Sequence, residues 1–224
     1  MRIKFLTILS FLVLFLLTGC APKEPDVYDY SKFLQSRPKS ILVVMPTNES
    51  LEPKAATAIL TNSVLPLSEA GYYVFPVALV NETFKSNGIF SGEEISHVSL
   101  NKLKEIYGAD SVLFINIKEY GSKYVLLDSQ TTIDISVKLI DLHNTHMIWD
   151  RSERVTQSAN QGNNNILGML INAMIAQVLN DITDNAYKVA VATDIMTFST
   201  DCYKCILYGH RSPNFGKDKQ LNKQ

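Results

Sequence analysis

Ser40-Ile41-Leu42-Val43-Val44-Met45-Pro46 is a short apolar run, rich in β-branched residues and closed by a proline. A continuous apolar run of this length predicts a strand that is buried on both faces of a sheet. Ser50 and Pro53 are start signals for a helix, Pro66 is expected to kink or end it, and Gly71 is expected to close it. The apolar residues at helical spacing in this segment are Ala56, Ile59, Leu60, Val64 and Leu67.

Two further strands extend this parallel start. Residues 72–76 are expected to form a second buried strand, joined to the first by a right-handed β-α-β crossover. A short helix at 78–84 and a longer one at 93–107 follow, with Gly108 as the C-cap. Residues 111–117 have the same buried character and predict a third strand. The expected inner face of the longer helix consists of Ile95, Val98, Leu103, Ile106 and Tyr107.

The pattern then changes to alternation. Residues 132–139 alternate between polar and apolar side chains, which predicts a strand with one wet face. A turn at 141–146 and a return strand from 147 to about 157 complete a β-hairpin, appended antiparallel to the earlier strands. After a polar linker at 158–165, apolar residues at helical spacing between 167 and 182 predict a long helix that covers the sheet or packs against a partner. The predicted fold is α/β (α+β), with a mixed sheet of about five strands.

The N-terminus has the features of a secretory signal. Two basic residues precede an apolar stretch at 5–17, which is too short for a comfortable transmembrane span. Leu17-Thr18-Gly19-Cys20 follows, and this arrangement resembles a bacterial lipoprotein signal, in which the Cys20 thiol takes a diacylglyceryl group. Acyl chains such as palmitate, each adding about 0.8 kcal/mol per buried CH₂, predict permanent attachment to a bilayer. Ala21, where Asp typically retains lipoproteins at the inner membrane, favours the outer membrane and its periplasmic face, with surface exposure left open.

The expected domain organisation follows from this start. Residues 1–19 are the signal peptide, 20–36 a tether, 37–212 a single α/β domain and 213–224 a polar tail. Loss of the 19 signal residues from the 224-residue chain leaves 205 residues, enough for one domain with a real core. The second half of the tether contains aromatic residues that are expected to pack on the domain: Tyr28, Tyr30 and Phe33. Lys and Arg form no basic run or stripe, so nucleic-acid binding is not expected.

Cys202-x-x-Cys205 is the motif with the most chemical character. In an oxidising compartment, two nearby thiols form a disulfide more often than a reactive pair. Free thiols and a redox or metal-binding role remain alternatives. A thioredoxin-type pair lies between a strand and a helix N-terminus, and the residues that flank this pair do not predict that context. A zinc site needs four ligands, and only His210 is near enough in sequence to be a third.

The remaining polar motifs are weaker. His143 and His146 fall in the predicted turn, where a pair of exposed histidines is ordinary. Glu94 and His97 match half of a carboxylate-bridged metal motif, but the second half is missing. Residues 99–102 match S-x-x-K by spacing alone, and the sequence contains no phosphate-binding loop, dinucleotide fingerprint or nucleophile elbow. Neither enzyme activity nor a metal or cofactor is expected.

Four blocks of the mature chain resemble a family of bacterial lipoproteins of unknown function. The blocks are PKSILVV at 38–44, LPLSEAGYYVFPV at 65–77, VNETF at 80–84 and ILYGHRSP at 206–213. The resemblance implies a fold similar to the periplasmic domain of CsgG, the curli secretion channel, and to the N-terminal domain of TolB. His210 stands where the family usually has proline, and the Cys202–Cys205 pair is peculiar to this chain. Beyond Cys20, the resemblance carries over no functional residue.

The resemblance also implies a role. Genes of the family tend to lie beside those of a CsgG-like lipoprotein, which implies an accessory or scaffold part in an outer-membrane secretion or assembly system. The expected partners are the membrane, through the lipid anchor, and other CsgG-like envelope lipoproteins or a second copy of the chain. Two alternatives stay open: a periplasmic thiol-disulfide protein that uses Cys202 and Cys205, and a ligand-binding lipoprotein with a sizeable apolar pocket.

Overall fold

The computed structural model describes residues 27–125, 128–158 and 184–223. Within these residues, the strands form one sheet in the order β3-β1-β4-β5-β6, with β2 beside β4. In chain order the elements are α1 (Ser31–Ser36), β1 (Ser40–Val43), β2 (Thr47–Asn48), α2 (Ala55–Glu69), β3 (Tyr73–Val74), α3 (Val77–Ser86), α4 (Gly92–Ser96), α5 (Leu100–Tyr107), β4 (Ser111–Val125), β5 (Asp128–Asp141), β6 (Met147–Ser158), α6 (Asn185–Thr197) and a 3-10 helix (Lys219–Lys223). The predicted α/β class with a mixed sheet is confirmed.

The first predicted strand is central, as expected. β1 pairs in parallel with both β3 and β4, and Ile41, Leu42 and Val43 are buried. The strand ends before Pro46, which has no N–H for a ladder bond. The chain then rejoins β4 as β2, so the predicted five strands become six.

The second predicted strand is shorter and less buried than expected. β3 has two residues and pairs only with β1, so it forms an edge of the sheet, and Tyr73 is 39% exposed. The prediction of a buried strand at 72–76 is therefore wrong beyond Val74. Pro76 explains the early end, because it lacks the amide that the ladder requires and directly precedes α3.

Two helices differ from their predictions. α2 continues through Pro66 to Glu69, since a proline one turn from the C-terminus removes only one helical hydrogen bond. Gly71 follows with φ +100° and closes the helix as expected. The single helix predicted at 93–107 is two helices, because Ser99 caps the first turn of α5 and starts a new helix. The break turns Ile106 outward, which corrects its placement on the inner face.

The antiparallel half of the sheet is longer than predicted. β4 has 15 residues and β5 has 14, and they pair along their whole length down to Val125 and Asp128. β5 and β6 form the expected hairpin. The inward side chains of β5 are those predicted from the alternation: Ile133, Ile135, Val137 and Leu139.

Helices cover the two faces of the sheet unequally. On one face, α2 and α6 bury the inward residues of β4, β5 and β6. On the opposite face, α3, α4 and α5 pack on β1 and the first residues of β4. α6 was not predicted from the sequence, and the long helix predicted at 167–182 lies outside the described residues.

Both flanks of the predicted domain pack against its core. Tyr30 and Phe33, in the predicted tether, are buried, and so is Asp218 in the predicted tail. Tyr30 belongs to a buried cluster that also includes Trp149 and Phe198.

Candidate functional site

A C-terminal segment, residues 204–207, is held by three aromatic hydrogen-bond donors. The carbonyls of residues 204, 205 and 207 accept bonds from Trp149 (3.1 Å), Tyr30 (2.6 Å) and Tyr72, respectively. Burial raises the pKa of the Tyr72 hydroxyl, so Tyr72 stays a neutral donor. The three donors come from β6, the start of α1 and the end of α2, so the segment ties together distant parts of the chain.

The same segment continues into a close contact with the end of α2. The Gly209 amide donates to the Ala70 carbonyl at 2.8 Å, and the Arg211 amide donates to that of Gly71 at 3.1 Å. A Cβ on Gly71 would lie 2.5 Å from the Ser212 nitrogen, and one on Gly209 would lie 2.5 Å from the Gly71 oxygen. Only glycine fits this approach, which brings the blocks at 65–77 and 206–213 together.

Cys202 and Cys205 are joined by a disulfide. The Arg151 guanidinium lies 2.9 Å from the sulfur of Cys205, which is fully buried, and 3.4 Å from that of Cys202. Arg151 also pairs with Glu153 at 2.9 Å, so its charge is partly balanced. The sequence motif located the cysteines, but Arg151, on β6, has no sequence signal that links it to them.

The other sequence-predicted polar residues have local roles. Glu94 closes the capping box of α4 with Ser91, and the His97 Nδ1 lies 2.7 Å from the backbone oxygen of Glu93. His143 lies 3.6 Å from Asp141 inside the β5–β6 turn. Across the described ranges, no group of three or more His, Cys, Asp or Glu residues is placed to hold a metal ion. Cys20 lies outside those ranges.

A cleft of about 540 Å³ opens on the face of the sheet that α4 and α5 cover only in part. Apolar and hydroxyl side chains dominate its walls, and Lys138 is its one charged residue among the described lining. Asn116 is held there by Thr47 (2.6 Å) and Glu49 (2.8 Å). The residues that line the cleft include Met45, Ser96, Val98, Phe114, Ser136 and Lys138.

The sheet beyond the cleft carries an ion-pair network on the same face. Arg154 on β6 bonds Glu119 on β4 at 2.7 Å and Asp134 on β5 at 2.8 Å, and Lys123 bonds Glu119 at 2.7 Å. The bond from Lys123, followed by that from Arg154, lowers the pKa of Glu119. The network fixes the register of three strands with charged side chains, which suits a surface in contact with water or a polar partner.

Asp194 is an isolated carboxyl inside the helical layer. It is 0% exposed, and neither of its oxygens has a hydrogen-bond partner among the residues that the structure describes. Burial raises its pKa well above the ordinary value, so the neutral form is favoured. Its neighbours on α6, Thr193 and Thr197, are also buried, but each bonds a backbone carbonyl one turn earlier.

Comparisons with known proteins identify the kind of protein. In the part of the chain that the structure describes, no helix has the length and hydropathy to cross a membrane. The chain is 39% identical over 204 residues to "Putative lipoprotein NMB1124/NMB1162" of Neisseria meningitidis serogroup B, which covers 91% of this chain and 95% of the relative. The crystal structure of lipoprotein GNA1162 from Neisseria meningitidis is 44% identical, covers 64% of this chain and 100% of its own, and superposes with a TM-score of 0.56.

The family model gives the assignment. It is described as "Putative lipoprotein GNA1162-like" and matches residues 28–211, nearly the whole described domain. The lipoprotein resemblance read from the four sequence blocks is therefore confirmed, and the chain belongs to the GNA1162-like lipoprotein family.

Proposed function

We propose that this lipoprotein is acylated at Cys20, is held at the periplasmic face of the outer membrane, and acts as an accessory or scaffold in a CsgG-like secretion or envelope assembly system. On this proposal, the protein acts by binding other proteins and not by catalysis. Membership of a lipoprotein family and the Leu17-Thr18-Gly19-Cys20 signal support the anchoring.

The observation that carries the scaffold role is the exposed face of β4, β5 and β6. In the described residues, the helices on this side reach only the first part of β4, and the cleft lies where they stop. Beyond it, the Arg154 network holds the strands in register, and none of the helices within residues 27–158 and 184–223 covers it. A rigid, polar surface with an apolar recess suits a specific protein contact.

Photo-crosslinking in intact cells tests this role. A photoreactive phenylalanine analogue replaces Ser136 in the cleft or, as the control, Thr61 on the exposed side of α2. We expect the Ser136 variant to trap a CsgG-like lipoprotein or a second copy, and the Thr61 variant to give neither. Recovery of only free monomer from both variants at native expression refutes the scaffold role. Mass spectrometry of the N-terminal peptide tests acylation of Cys20 separately.

Ligand binding is a second candidate, because the cleft volume falls within the range of about 300–1,000 Å³ that small-molecule sites occupy. Such a site usually encloses its ligand, whereas this cleft is open along the sheet. Filling it by Ser96→Trp, with the photoreactive residue kept at position 136, distinguishes the two candidates. Loss of a co-purifying small molecule, with crosslinked partners unchanged, favours a ligand site, and loss of the partner favours the scaffold.

The thiol-disulfide alternative has one favourable feature, since the Arg151 guanidinium beside the sulfurs favours a thiolate. Two features oppose it. The pair follows the C-terminus of α6, where the helix dipole disfavours negative charge, and Cys205 is fully buried. We expect a Cys202→Ser, Cys205→Ser double variant to keep the partner contacts, and insulin reductase activity of the wild-type protein would contradict this expectation.

A further inference from the structure

The point where the tether joins the domain lies at one end of the sheet. β1, β4 and β6 begin at this end of the sheet and β5 finishes there, so their terminal residues form one row across the sheet. We name this end of the sheet the tether end. Tyr28, at the start of the described chain, accepts a bond from the Asp150 amide on β6 at 3.1 Å. The row consists of Tyr73, Ser40, Ser111, Asp141 and Met147.

A short tether keeps this end near the lipid anchor. Val27 is seven residues from Cys20, and a fully extended chain spans at most about 3.6 Å per residue. Val27 therefore stays within about 25 Å of the acylated residue. This step rests on the proposed anchoring at Cys20.

Exposed aromatic and apolar side chains lie at the tether end or within about four residues of it along β6. Tyr203 precedes Lys204, which pairs with Asp150 three residues after Met147 and whose ammonium lies over the Tyr28 ring at 5.1 Å. Phe215 lies under the Arg37 guanidinium at 5.7 Å. Side chains of this kind, with an apolar body beside a cation, are favoured at the headgroup layer of a bilayer. Each of the following is between 39% and 59% exposed: Val27, Tyr73, Met147, Tyr203 and Phe215.

Cations slightly outnumber carboxylates at the tether end. Residues 27–40 and 201–219 contain seven Lys and Arg and three Asp, and Asp110, Asp141 and Asp150 also lie at this end, so the balance there is +1, whereas the whole chain carries a net charge of −1. Lys204 and Lys219 pair with Asp150 and Asp201. The other five cations form no ion pair with any residue that the structure describes: Lys32, Arg37, Lys39, Arg211 and Lys217.

We infer that the tether end is a membrane-contact surface that binds anionic phospholipid headgroups of the bilayer that carries the anchor. The Arg211 guanidinium lies over Tyr73 and that of Arg37 lies over Phe215, and the terminal nitrogens of both are the donors that bind phosphate on this inference. The Arg37 Nε donates to the Leu34 carbonyl at 3.2 Å, which fixes the guanidinium in place. The acyl chains hold the protein on the bilayer, and this surface sets its orientation.

Photo-labelling by lipid tests the orientation. The full lipoprotein is placed in nanodiscs of phosphatidylethanolamine and phosphatidylglycerol, with a diazirine near the phosphatidylglycerol headgroup, and labelled peptides are mapped by mass spectrometry. Leu51 and Phe90 serve as controls, because they are more exposed than Tyr203 and Phe215 but lie near Pro46, beyond the other end of β1. We expect at least about fivefold more label at Tyr203 and Phe215, since each cation near an anionic surface contributes about 1 kcal/mol.

Charge-reversal variants give the matched comparison. Arg37→Glu with Arg211→Glu is expected to lower the label at Tyr203 and Phe215 by at least about fivefold. Lys54→Glu with Lys118→Glu, the same change of charge away from the tether end, is expected to leave it unaltered. Uniform labelling of an acylated protein overturns the membrane-contact surface and leaves the proposed function intact. A protein that lacks the acyl groups overturns both.

Discussion

Replacing Asp194 by asparagine is expected to remove a pH dependence of stability that this one carboxyl creates. The side chain is 0% exposed, and no described residue bonds either of its oxygens, so ionisation would place an uncompensated charge inside the protein. Asparagine keeps the size and polarity of the neutral acid but cannot ionise. The two proteins should therefore differ in the slope of stability against pH more than in its value at low pH.

The sign of the slope follows from the direction of the pKa change. Burial raises the folded-state pKa of Asp194 above the unfolded value of about 3.9, so the folded state holds a proton that the unfolded state releases. The full stability is present below the unfolded pKa and falls as pH rises toward the folded pKa. Within that interval the free energy of unfolding falls by about 1.4 kcal/mol per pH unit. Asp218, whose pKa burial also raises, contributes equally to both proteins.

Urea unfolding of the oxidised protein at several pH values above 4.5 measures this difference. We expect the free energy of unfolding of the wild-type protein to fall relative to that of Asp194→Asn by about 1.4 kcal/mol per pH unit until the folded pKa is reached. Asp134→Asn, which changes a carboxyl paired with Arg154 at the surface, is the control and should keep the wild-type slope. Parallel profiles for the wild type and Asp194→Asn would refute the reasoning.

Three further substitutions test the fold around the site. Gly71→Ala should lower the free energy of unfolding by about 1–3 kcal/mol more than Gly88→Ala, because both glycines have positive φ but only Gly71 is in close contact; equal losses would contradict the close approach. Tyr72→Phe should cost about 1–3 kcal/mol by leaving the buried carbonyl of residue 207 unpartnered, whereas Tyr73→Phe at the surface should change stability by less than about 0.5 kcal/mol. Ser99→Ala should cost about 1 kcal/mol if Ser99 starts a separate helix, and thermal unfolding that is unchanged would argue for one continuous helix.

The sequence predicted a strand best where burial alone determined the pattern of apolar residues. β1 is buried on both faces, and its apolar run is continuous for that reason. The run at 72–76 has the same composition, yet its aromatic residues pack edge-on: Phe75 contacts Tyr73 at 5.1 Å and Tyr107 at 6.3 Å between ring centroids. An apolar run is found both in a strand that is buried on two faces and in an edge strand whose aromatic rings contact each other. Composition alone therefore did not distinguish a central strand from an edge strand.

α6 was missed because its buried face is not apolar throughout. Val189 and Ala190 are buried, but so are Thr193, Asp194 and Thr197, so the helix shows no apolar stripe. The threonine hydroxyls donate to backbone carbonyls of the same helix, and burial favours the neutral form of the Asp194 carboxyl. Burial of polar groups by these means leaves no hydrophobic period in the sequence.

The candidate sites also differ in how much of each the sequence could predict. The cysteine pair is local, with the two bonded residues three positions apart in sequence, and the motif alone located it. The donors to residues 204–207 are up to 175 residues away, and the partner of Cys205 on β6 is 54 residues away. A single sequence carries no signal for such pairings, although the glycines of the two blocks, Gly71 and Gly209, marked the segments that approach each other.

The direction of β5 relates the position of the cleft to that of the tether end. β5 ends at the tether end, and Ser136 in the cleft lies five residues before its last residue, Asp141. At about 3.4 Å per residue, Ser136 is roughly 17 Å along the strand from that end, while the cleft itself reaches down to Ile140, next to Asp141. If the tether end lies on the bilayer with the strands upright, Ser136 faces the periplasm above the headgroups. A partner trapped at Ser136 must then extend at least that far from the membrane, which a folded periplasmic domain does and a peptide confined to the headgroup layer does not.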